Sequence, residues 1–375
     1  MRARGLLASA IIAAALTAIP WKASAEPMDP ALERLVLNPG CHQVDIPGGV
    51  ANFGAWNPTG GAGSDGRCLP DNAAFKRLIN QYGFALAPTA MHSARTTGYG
   101  GFELSLEGSF TSLDSGSDYM KEGTRGAYNQ SSNKASIRNN NPDSLGQTYY
   151  LKARKGFPFG LEITGVVGYM AHTSFMVIGS DVRLSLLEGF RQGILGILPD
   201  IAGGAGVRTI TGTPQMQLTV LGVDGQISKP LPLADSSILT PYVGYQWIRI
   251  YGDSGLIDTT PNTDPVGLCG YQGPNIPGTP GTPVNTGTGT KPWDGQPVCS
   301  AGGTPLDFNN TFVFDAVRLN HHRLILGAQY RYEMVSIGAQ YLTDITDPAA
   351  ANGNDKELKG IPRQYTFSVQ LGAIF

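Results

Sequence analysis

Residues 363–375 read RQYTFSVQLGAIF. Tyr365, Phe367, Val369, Leu371, Ala373 and Phe375 share one parity, and Gln364, Thr366, Ser368, Gln370 and Gly372 share the other. A strict two-residue period marks a β-strand with one apolar and one polar face. Soluble chains usually fray into polar residues at their ends. Here the final aromatic stays inside the pattern, so the apolar face is expected to meet an apolar medium along its whole length.

The same alternation recurs from Tyr99 onward. In FELSLEGSF, Phe102, Leu104, Leu106 and Phe110 oppose Glu103, Ser105, Glu107 and Ser109. In YYLKARK, Tyr149, Leu151 and Ala153 oppose Lys152 and Arg154; in LEITGVVGYMAH, Leu161, Ile163, Val167 and Tyr169 oppose Glu162, Thr164 and Gly168. VIGSDVRLSLL, AGGAGVRTITG, QLTVLGVDGQIS, LTPYVGYQWIRIY, HRLILGAQYRYE and VSIGAQYLTD follow, and the terminal segment makes ten. The parity of PYVGYQWIRIY is ambiguous. The links after strands 2, 4, 6 and 8 are short or moderate, whereas residues 112–145, about 252–311 and 345–361 form long links after strands 1, 7 and 9. All the long links therefore fall at one end, the loop asymmetry of a transmembrane barrel.

In hydrocarbon every backbone group must find a partner within the protein, which only helices and closed barrels achieve. After residue 25 no apolar run is long enough to span as a helix, which needs about 20 residues. The expectation is an all-β, antiparallel up-and-down transmembrane barrel of ten strands, with eight and twelve as alternatives. Tyr99, Tyr149, Tyr169, Trp247, Tyr332, Tyr341, Tyr365 and Phe375 suit two interfacial girdles.

Other features place the chain in an exported class. MRARG followed by LLASAIIAAALTAI and the small-residue site ASA at 23–25 predicts a secretory signal peptide over residues 1–25. Signal peptide, amphipathic strands and a final aromatic together resemble Gram-negative outer-membrane β-barrel proteins, porin-like in general plan. That resemblance implies an outer-membrane location, contact with outer-membrane lipids, and reading of Tyr365, Phe367, Val369, Leu371 and Phe375 as an assembly signal by the barrel assembly machinery. It covers about residues 97–375 and carries no particular activity.

Residues 26–96 differ from the barrel. Gly, Pro and Asn dominate their first part, and DNAAFKRLINQYG predicts a helix over about 71–82 with Asp71 as N-cap and Gly83 as terminator. This segment is expected as a periplasmic cap or a plug. Export implies an oxidising compartment, so disulfides Cys41–Cys68 and Cys269–Cys299 are the simplest of three connectivities.

The inward parity carries Glu103, Glu107, Lys152, Arg154, Glu162, Asp181, Arg183, Asp224, Arg323, Arg331 and Glu333. Signs are mixed, which fits either a charged pore constriction or a packed interior of paired charges, since barrels of this size are filled by their own side chains. Function follows the same fork. One reading is a structural or surface-interaction barrel that meets an unknown extracellular ligand through its long loops; the alternative is a small porin-like channel. A rim hydrolase is the third, with His172 and Ser174, or His321, His322, Asp315 and Asp253, as the groups within range of the outer rim. No catalytic constellation is demanded by the spacing, so the expectation is that the chain is not an enzyme. The net charge of −2, without a basic run, argues against nucleic acid as a partner. GRCLP and GTRG are not phosphate loops, no nucleotide fingerprint follows a strand, and no cofactor or metal is expected. His321 and His322 are adjacent in a strand and face opposite ways. In the Gly-, Pro- and Thr-rich loop 258–300, Tyr271 and Trp293 are the residues placed for ligand contact.

Overall fold

A computed structural model describes residues 26–37, 43–45, 51–53, 69–126, 128–129, 134–135, 139–188, 198–234, 236–258, 269–271, 297–299 and 311–375. The predicted signal peptide lies outside the described residues. Ten long strands form one closed sheet: β1 (Phe102–Ser112), β2 (Leu145–Gly156), β3 (Leu161–Met170), β4 (Met176–Leu187), β5 (Asp200–Thr211), β6 (Met216–Ser228), β7 (Ser237–Ser254), β8 (Val317–Tyr332), β9 (Val335–Asp344) and β10 (Tyr365–Ile374). Each pairs antiparallel with its sequence neighbours, and β10 pairs with β1 to close the ring. The closing seam explains the terminal aromatic. The Phe375 N–H donates to the Phe102 carbonyl at 2.7 Å, the reverse bond is 3.2 Å, and the two rings lie 6.4 Å apart.

The alternation reads directly onto the wall. Tyr365, Phe367, Val369 and Leu371 face outward and are about half exposed, while Thr366, Ser368 and Gln370 are buried inside. The eleven residues from Tyr365 to Phe375 make ten steps; at about 3.3 Å each and a tilt near 45° these span roughly 23 Å, close to the apolar band of a membrane barrel. Links 157–160, 188–199, 229–236 and 333–334 lie at one end. The longer 113–144, 255–316 and 345–364 lie at the other, with the tight turns 171–175 and 212–215.

Helix α1 (Asn72–Leu86) stands inside the barrel. Asp71 caps it as expected, its Oδ1 accepting from the Ala74 N–H at 2.9 Å. Gly83 does not end it. A Cβ there would lie 2.6 Å from the Ile250 side chain, so this glycine lets the helix approach the wall and the helix runs one turn further. It stops where Pro88 follows Ala87, which is held extended at φ −61°, ψ 147°.

The position of the N-terminal segment differs from a periplasmic cap. Residues 26–36 pack against the long-loop end: the Met28 N–H donates to the His172 carbonyl at 2.8 Å, and Pro30 pairs with Thr124. The chain then returns, with Val36 beside Pro70, enters the barrel as α1 and leaves at the short-turn end. There the Thr97 N–H donates to Glu162 and the Thr96 N–H to Glu188. The segment threads the lumen from one mouth to the other.

Candidate functional site

The lumen has two unlike halves. Toward the long-loop end α1 presents Phe75, Leu78, Ile79, Tyr82 and Leu86, all nearly or fully buried. The wall answers with Met170, Val177, Leu218, Val220, Ile248, Ile250 and Leu319. Phe75 stacks on Phe314 at 4.5 Å, and Tyr82 meets Phe175 edge-on at 5.5 Å while its hydroxyl donates to the Met28 carbonyl. A helix satisfies its own backbone, so an apolar wall suits it. His321 Nε2 is 2.9 Å from Asn80 Oδ1 and its Nδ1 is 3.1 Å from Asp344, tying β8 and β9 to the plug.

Toward the short-turn end residues 87–96 form neither helix nor strand; Ala90 stands at φ 50° and its carbonyl accepts from the His92 N–H at 3.0 Å. The wall supplies donors. Gln246 Nε2 and Arg323 Nη2 reach the Pro88 carbonyl at 3.0 and 2.6 Å, Gln340 Nε2 reaches Thr89 at 2.6 Å, and Gln226 Nε2 reaches Ala90 at 2.8 Å. Each buried amide oxygen left unmade would cost about 1–3 kcal/mol.

The charges sit in the same half and are paired. Arg154 bonds Glu103 at 2.7 Å and grips Glu162 through Nε and Nη2. Glu103 also accepts from Ser336 and Gln370. Lys152 bonds Glu107, and both meet the Thr89 hydroxyl, at 3.0 and 2.7 Å. Arg183 bonds Asp224 at 2.8 Å, and Arg208 makes two bonds to Asp181 at 2.7 and 2.8 Å. Arg323 instead lies 5.0 Å over the Phe84 ring and bonds Gln246.

Nine of the eleven predicted inward charges therefore line the lumen: Glu103, Glu107, Lys152, Arg154, Glu162, Asp181, Arg183, Asp224 and Arg323. Arg331 and Glu333 do not. Arg331 keeps the inward parity but is exposed at the short-turn mouth, and Glu333 occupies the following turn at φ 47°, where the Arg331 Nε donates to its carbonyl. Sequence reasoning missed Arg208, Gln226, Gln246 and Gln340. A usable signal was AGGAGVR on β5: a Cβ at inward Gly206 would fall 2.0 Å from Asp181, so the glycine makes room for the Asp181–Arg208 pair.

The candidate rim groups of the hydrolase reading do not converge on one another. His172, at φ 59°, bonds Asp143 at 2.6 Å, whereas the Ser174 hydroxyl donates to Asp29 at 2.8 Å. His321 is buried inside, His322 faces outward against Tyr245, Asp253 pairs with Arg318 and Asp315 with Asn72. Among the described residues no group of three metal-ligating side chains converges. Cys41, Cys68 and Trp293 lie outside the described residues. Tyr271 is placed by its backbone, and Cys269 stands opposite Cys299 in a two-stranded ribbon.

No family model and no curated protein matches the chain. Among solved structures it is similar to Ail, the attachment invasion locus protein of Yersinia pestis, solved with a heparin analogue, at 10% identity over 74% of this chain and 99% of that one, with a TM-score of 0.23. The KdgM porin, solved with disordered oligogalacturonate, matches at 8% identity over 73% and 99%, TM-score 0.25. The translocator domain of the autotransporter NalP from Neisseria meningitidis matches at 10% identity over 81% and 97%, TM-score 0.30. The fold is that of outer-membrane β-barrels. Its assignment rests on this chain's own closed ladder, apolar belt and loop asymmetry.

Proposed function

We propose that the protein is a sealed outer-membrane barrel that acts at the cell surface through its long-loop end rather than by conducting solutes. The observation that carries this reading is the occupied lumen: α1 fills the outer half with an apolar core, and residues 87–96 fill the inner half among paired charges. Five carboxylates, Glu103, Glu107, Glu162, Asp181 and Asp224, are each held by a cation, which favours packing over an ion path. On this reading the long-loop end is outside, residues 26–36 form part of the surface, and the terminal strand serves the assembly machinery. The Cys269–Cys299 register suits a disulfide that would tie the longest loop, since directly opposed strand residues bring their Cα atoms within bridging range.

Planar-bilayer recording of the refolded, signal-free protein tests the proposal. The full chain is expected to be electrically silent at moderate voltage. Stable single-channel steps would favour the porin-like alternative, and their ion selectivity would then depend on Arg154 and Arg183.

A further inference from the structure

The outward parity of the ten strands carries very few charges. Lys155 sits at the short-turn rim, its Nζ donating to the Gly100 carbonyl at 2.8 Å. The others, Arg249, Asp253 and Arg318, stand together on β7 and β8 at the long-loop end. Register sets Tyr251 opposite Arg318, Arg249 opposite Asn320 and Trp247 opposite His322. Both guanidinium groups converge on one ring: Arg249 Cζ lies 5.8 Å and Arg318 Cζ 5.3 Å from the Tyr251 centroid. Among the described residues Arg249 makes one side-chain hydrogen bond, to Asn320 Oδ1 at 2.9 Å, while Arg318 bonds Asp253 at 3.2 and 3.3 Å and, through Nη1, the Val317 and Gly252 carbonyls at 2.8 and 3.3 Å. The Arg318–Asp253 pair is well exposed, so it is weak and exchangeable.

The height of this cluster is set by the aromatics below it. Tyr245 stacks on His322, and Tyr341 on Tyr365, along the upper edge of the apolar belt. Arg249 lies two residues beyond Trp247 and Arg318 four beyond His322, roughly 7 and 13 Å along tilted strands. That is the headgroup layer. Guanidinium forks facing outward there match phosphate in charge and geometry.

We propose that Arg249 and Arg318 bind the phosphate groups of a phosphorylated glycolipid of the outer leaflet, with its acyl chains lying on the apolar wall below, against Val223 and Leu324. The site rests on the outer-membrane reading, and refolding into micelles, checked by heat-shifted electrophoretic mobility, tests that reading separately.

The full signal-free protein in neutral-detergent micelles is titrated with bisphosphorylated lipid A and with the same lipid stripped of both phosphates, and bound lipid is counted by native mass spectrometry. The wild type is expected to prefer the phosphorylated lipid by roughly tenfold or more, Arg249→Gln/Arg318→Gln to lose that preference, and Lys155→Gln to retain it. Equal binding of the two lipids by the wild type overturns the proposal, even where the double variant fails to fold. So does a folded double variant that keeps the preference, or a Lys155→Gln variant that loses it.

Discussion

The two halves of the lumen enclose the same N-terminal segment and solve opposite problems. In the long-loop half the segment is helical, its backbone bonds are internal, and the wall is built of Ile, Leu, Val and Met. In the short-turn half it is irregular, and the wall carries Gln226, Gln246, Gln340 and Arg323 aimed at its carbonyls. The backbone state of the plug thus dictates the polarity of the barrel interior facing it. Irregular backbone at membrane depth is tolerated only where protein groups satisfy it.

The contrast can be broken most strongly at the charge pairs. Glu107→Ala strands Lys152 in a buried site and is expected to destabilise the fold by about 3–5 kcal/mol, whereas Lys152→Met/Glu107→Leu should cost far less because no lone charge remains. Urea unfolding of the refolded protein in micelles measures both. A double variant as damaged as the single would show that the pair has a role beyond mutual neutralisation.

A smaller effect is expected at the donors. Gln340→Leu removes the partner of the Thr89 carbonyl and of the Tyr242 hydroxyl and should cost about 1–3 kcal/mol in the same assay. An unchanged midpoint would mean that the inner wall does not need its amides.

The smallest effect concerns the long-loop mouth, where Lys76 on the second turn of α1 bonds Glu357 and, at 3.1 Å, Asp355 of the 345–364 loop. Burial opposes ionisation of Asp355, but the Glu357 backbone N–H and Lys76 outweigh it and hold its carboxyl below the usual range. Burial likewise opposes the charge on Lys76, and Glu357 with Asp355 outweighs it and raises its pKa. Asp355 therefore contributes fully above the unfolded carboxylate value of about 3.9 and loses this as pH falls through its lower folded value. Lys76 contributes fully below about 10.4 and loses this as pH rises through its higher folded value. Hydrogen-exchange protection in 345–364, corrected for the intrinsic pH dependence of amide exchange, should fall only at those extremes, by under about 1 kcal/mol. Lys76→Met should flatten the profile.

Much of this was legible in one dimension. Strand number to within two, the outward faces of β1–β4, β8 and β10, the end at which the long links cluster and the Asp71-capped helix all follow from local periodicity and turn chemistry. Alternation is a property of a single strand's pleat, so it survives without knowledge of any neighbour. PYVGYQWIRIY shows where that stops. Tyr242, Ile248 and Ile250 are apolar and face inward because the plug lies against them. An apolar interior beside an apolar exterior erases the alternation.

The tertiary structure alone decided the rest. Gly83 reads as a helix stop in sequence, yet it is a contact with Ile250 on a strand far along the chain. Which carboxylate meets which cation depends on the shear of ten strands, and Arg154 reaches both Glu103 and Glu162 only because β1 and β3 flank β2. The path of residues 71–96 through the lumen likewise follows from long-range packing. The sequence by itself determined the faces of the wall, through backbone geometry and the hydrophobic effect; closure of the ring and the chain threaded through it determined what those faces touch.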